Sequence, residues 1–150
     1  MPGELRFFAK GGMTAARPDV ELLQELKTSR TLSWWFWVVL GGNDICTSSS
    51  PADIVSSLLR LQTQLHEAGT THVHFCNICE RGYFPKDRAM TKKCFNAQRI
   101  KINDCLNKNA CVIELKKIRF PADYLTDMVH MNEVGNTKLF RHIRGFLFGL

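Results

Sequence analysis

The chain has 150 residues, 45% of them hydrophobic and 23% charged, which is enough for one domain with a buried core and excludes a disordered or fibrous protein. Its net charge of +6 permits loose association with nucleic acid or an anionic surface, but the basic residues are dispersed over 86–93, 99–101, 116–119 and 141–144 and read first as solvated helix faces. The longest apolar run, Trp34-Trp35-Phe36-Trp37-Val38-Val39-Leu40, falls far short of the about 20 residues of a membrane-spanning helix, and residues 1–10 show no secretory pattern. The expectation is a cytoplasmic protein whose six cysteines are free thiols.

Strand and helix signals alternate along the chain. Residues 6–9 form a short extended run closed by Gly11-Gly12. Residues 16–27 carry Val20, Leu22, Leu23 and Leu26 with the spacing of an amphipathic helix. The continuous apolar stretch 32–40 suits a strand buried on both faces, and it stops at Gly41-Gly42-Asn43-Asp44. Ser50 as cap, Pro51 at the first position and Asp53 completing a capping box announce a helix. Its stripe is Ile54, Leu58, Leu61 and Leu65, and Gly69 ends it. A second inner strand is expected over 71–79. A helix is expected over 87–106 with Phe95, Ile102 and Leu106 inward, then a third strand over 110–115. A last helix runs from Glu133, with Leu139, Phe140, Ile143 and Leu147 on its core face. This alternation predicts an α/β protein, a single domain over 1–150 in the form of a three-layer α/β/α sandwich with a parallel sheet.

In such sheets ligands bind beyond the carboxyl ends of the strands. Three loops have the right content: Gly11-Gly12-Met13-Thr14, Gly41-Gly42-Asn43-Asp44 and Asp127-Met128-Val129-His130. Each alone reads as turn chemistry or a helix cap. Together they hold the parts of an acyl-transfer site. The Asn43 amide and the Gly12 N–H can face a developing oxyanion. The His130 imidazole can act as general base with Asp127 orienting it.

These blocks, with Met131-Asn132 after the last and Phe95-Asn96 in a basic helix, resemble the second, third and fifth sequence blocks of the SGNH (GDSL-type) hydrolases over nearly the whole chain. The resemblance implies a flavodoxin-like sandwich and hydrolysis of small acyl esters without a cofactor. It makes Gly12 and Asn43 oxyanion-hole donors, His130 the base and Asp127 its partner. The family's nucleophile stands in a Gly-Asp-Ser block on the first strand, before the glycine block. That triplet occurs nowhere here, so the expectation is an N-terminally incomplete domain lacking its central strand and its nucleophile. Ser48, Ser49 and Ser50 lie near Asn43 but read as the cap of the following helix.

Cys76-Asn77-Ile78-Cys79 with His72 and His74 invites a zinc site, but no second Cys-x-x-Cys occurs, and small buried residues filling a strand account better for the cysteines. A redox role is weaker still, for want of a strand-to-helix placement. The rival function is a non-catalytic nucleic-acid- or protein-binding module: SGNH-like domains occur in proteins of some retrotransposons, and this short basic chain is similar to those. Its support is the charge alone.

Overall fold

A computed structural model describes residues 6, 8–28 and 35–149. The elements are α1 (Val20–Thr28), β1 (Trp35–Val38), α2 (Pro51–Glu67), β2 (His72–Cys76), α3 (Lys92–Asn109), β3 (Val112–Ile113) and α4 (Glu133–Phe148). The three strands lie side by side in chain order, all parallel, with Trp37 opposite His74 and Cys76 opposite Ile113. A parallel sheet with helices on both faces is the α/β sandwich expected from the alternation.

The pleat sorts the strand residues into two layers. Phe36, Val38, Val73, Phe75 and Val112 face α2 and α3, where Ile54, Leu58, Leu61, Leu65, Phe95, Ile102 and Leu106 close the main core. Leu23 and Leu26 of α1 pack against the same cluster. On the opposite face Trp37, Cys76 and Ile113 meet Leu139 and Ile143 of α4.

Several expectations need correction. Residues 6, 8 and 9 form no strand; Phe7 lies outside the described residues. An extended run needs a ladder partner, and Phe8 instead stacks its ring on Phe36 at 6.0 Å. Helix α1 starts at Val20, because Pro18 precedes Asp19, whose carboxylate accepts the Leu22 N–H at 3.0 Å. Ser50 sits at the N-cap of α2 but its side chain caps nothing, so the capping box is not made; Pro51 does stand at the first position. The helix expected over 87–106 breaks: Ala89 adopts a left-handed φ of 46°, and α3 begins only after Thr91, whose hydroxyl accepts the Cys94 N–H at 3.1 Å. In α4, Leu139 and Ile143 face the core, whereas Phe140 and Leu147 are 42% and 37% exposed. The strands are shorter than their apolar runs, and residues 32–34 lie outside the described set. Among the described residues the outer edge of β1 pairs with no strand.

Candidate active site

Two loops at the carboxyl ends of the sheet are tied to each other. Gly41, at φ 112°, turns the chain out of β1; a Cβ there would come within 2.8 Å of Ile78 Cδ1. The Asp44 carboxylate accepts the N–H groups of Ala15 and Ala16 at 2.9 and 3.0 Å, and the Asn43 Nδ2 donates to the Met13 carbonyl at 3.1 Å. Asn43 therefore commits one amide hydrogen to holding the glycine loop and keeps the other. Gly12 has φ 74°, and its N–H makes no hydrogen bond among the described residues. Two donors of the kind an oxyanion requires thus belong to one hydrogen-bonded unit.

The third loop is built around Asp127. One carboxylate oxygen accepts the N–H groups of Val129 and His130, both at 2.9 Å, and the other meets His130 Nδ1 at 2.6 Å. The His130 hydrogen bond, with the two backbone N–H groups behind it, holds the Asp127 carboxyl down at about 2, so it is ionised at neutral pH. An ionised acceptor on Nδ1 leaves Nε2 as the basic nitrogen, the orientation that a general base requires. Both side chains are solvent-exposed. Tyr124 and Met131 bridge in antiparallel fashion beneath the loop, the Leu125 N–H donates to the His130 carbonyl at 2.8 Å, and Met128 turns at φ 56°. Asn132 then caps α4 by accepting the Gly135 N–H at 2.9 Å.

Sequence reasoning missed what joins the third loop to the other two. Arg81 donates to Asn43 Oδ1 at 3.1 Å, and the next residue, Gly82, donates its N–H to the Met128 carbonyl at 2.8 Å. A Cβ on Gly82 would stand 2.6 Å from Phe120 and 2.9 Å from Met128, so the approach requires glycine. Burial pushes the Arg81 guanidinium below its usual range, and it lies 5.7 Å over the Phe95 ring. The segment carrying Arg81 is itself fixed by Asn103 of α3, whose buried amide takes the Ile78 N–H at 2.9 Å and gives to the Ile78 carbonyl at 3.0 Å. The available signals were an Arg-Gly pair just past a strand end and an asparagine on the apolar face of a helix.

The hydroxyls of Ser48 and Ser49, near Asn43 in the sequence, are already engaged. Ser49 Oγ accepts the Cys46 N–H at 2.9 Å and lies 2.6 Å from Gln98 Oε1; Ser48 Oγ meets Cys46 Sγ at 3.4 Å. Burial pushes the Cys76 thiol to about 12 and raises the Cys79 thiol. His72, His74 and Cys76 do share one face of β2, with His74 buried between the rings of Trp35 and Phe146. No group of three or more His, Cys, Asp or Glu residues that could hold a metal occurs among the described residues.

No protein-family model matches the chain, and no curated protein matches it significantly. Among solved structures, a GDSL-like lipase from Bacteroides thetaiotaomicron superposes with a TM-score of 0.65 at 12% identity, covering 92% of this chain and 72% of the lipase. The fold is thus a GDSL-like α/β sandwich. Among the described residues, no helix is long and apolar enough to cross a membrane.

Proposed function

We propose that the chain carries the base and oxyanion-hole side of an SGNH-type acyl-ester hydrolase site without the serine, and that it turns over no ester by itself. The observation that carries this reading is the Asp127–His130 pair, tied through Gly82 and Arg81 to the loop bearing Asn43. In that reading His130 Nε2 takes the proton from an attacking hydroxyl, and Asp127 stabilises the imidazolium that results. The Gly12 N–H and the second Asn43 amide hydrogen receive the carbonyl oxygen as it becomes an oxyanion. The hydroxyl would come from a Gly-Asp-Ser block that this sequence does not contain. The site's exposure and its likeness in residue types to the family support a small acyl ester as the ligand class.

The test is release of p-nitrophenol from p-nitrophenyl acetate by the chain and by His130→Ala. Equal rates, both at the buffer background, are expected. Release that is lost in His130→Ala would mean that another group serves as nucleophile, and the reading of an inactive chain would fall.

A further inference from the structure

A cavity of about 190 Å³ opens beyond the carboxyl ends of β2 and β3, between Ile78–Glu80 on one side and Glu114–Lys116 on the other. None of Gly12, Asn43, Asp127 or His130 lines it. The charges around it are unequally satisfied. Glu114 pairs with Lys116 at 2.6 Å, and Glu80 with Lys92 at 3.8 Å. Arg99 of α3, half-buried in the wall, pairs with no carboxylate among the described residues. Its guanidinium is nevertheless fixed: Nε donates to Asn96 Oδ1 at 3.0 Å and Nη1 to the Ile78 carbonyl at 3.2 Å. Nη2 and the second hydrogen on Nη1 remain, which is the fork that receives a carboxylate side by side. Leu115, Ile118 and Phe120 supply apolar wall to the same cavity.

We propose that this cavity binds a small aliphatic carboxylate, its head group on Arg99 and its hydrocarbon against Leu115, Ile118 and Phe120. The volume sets the size, being below the roughly 300 Å³ at which drug-sized ligands begin to fit. The proposal does not depend on the hydrolase reading.

The test is a titration of the ¹⁵N-labelled chain at constant ionic strength with sodium butyrate, its neutral isostere butyramide, and inorganic phosphate. Butyrate is expected to give saturable shifts at the amides of Ile78, Cys79, Glu80 and Lys116, with butyramide at least about ten-fold weaker. Arg99→Met should lose the response while unfolding at the wild-type temperature, because the Ile78 carbonyl keeps its bond from Asn103. If that variant does not fold, the butyrate–butyramide comparison on the wild type decides alone. Absence of saturable shifts, equal binding of the two isosteres, or phosphate binding more tightly than butyrate would each overturn the proposal.

Discussion

At Gly82 a single hydrogen atom in place of a methyl lets the chain lie against Phe120 and Met128 while its N–H holds the Met128 carbonyl. Gly82→Ala forces these neighbours apart and should cost about 1–3 kcal/mol, read as a lower midpoint in urea with an unchanged slope. Asp127 can be tested by titration. Its carboxyl is held near 2, against 3.8 for a free side chain, first by His130 and then by two backbone N–H groups. A depressed carboxylate stabilises the fold above its unfolded value and loses that contribution as pH falls from about 3.8 toward 2. The Asp127 carboxyl resonance should therefore titrate higher in His130→Ala, yet stay below 3.8, because the Val129 and His130 N–H groups still point at it. An unchanged midpoint would show that the imidazole does not set it. The residues of this pair were legible in the sequence because Asp-x-x-His is a local pattern; Arg81 was not, because its partner Asn43 lies on another loop.

Helices and strands were legible where a period of 3.6 or an unbroken apolar run could be read, as in α2 and the interiors of β1 and β2. They were misread where a backbone conformation decided the boundary. The left-handed turn at Ala89 leaves no mark in the apolar pattern that distinguishes it from continuing helix. For α4 the stripe was correct at Leu139 and Ile143 and too generous at Phe140 and Leu147, because the three short strands among the described residues offer little sheet for the helix to cover. β2 carries an element-scale cost. His74 is 7% exposed, with Trp35 and Phe146 against it and, among the described residues, no hydrogen bond to either ring nitrogen. Burial, aided by His72, lowers its proton affinity below the ordinary 6.5. The unfolded chain then gains a proton below pH 6.5 that the folded chain resists, so folding weakens as pH falls through that range. His74→Phe should remove part of the drop in melting temperature between about pH 7.5 and 5.5 and raise stability at the lower pH, since an unpartnered buried polar group is replaced by a ring among rings. A drop as large as in the wild type would assign the acid sensitivity elsewhere.

For the molecule as a whole, the sheet and the candidate site rest on different kinds of contact. The α/β alternation follows from local patterns and was readable from α1 onward, though not in the strand expected over 6–9. The site is assembled from links between distant segments: Asp44 to Ala15, Asn43 to Met13, Arg81 to Asn43, Gly82 to Met128. None is implied by spacing along the chain. That difference bears on local opening in the native state, where peripheral ties open at lower free energy than the core. The Gly82 N–H, bound to Met128, should exchange with deuterium well before the Phe75 N–H, bound to Cys111 inside the sheet. Equal protection at the two would mean that loops and sheet open as one cooperative unit.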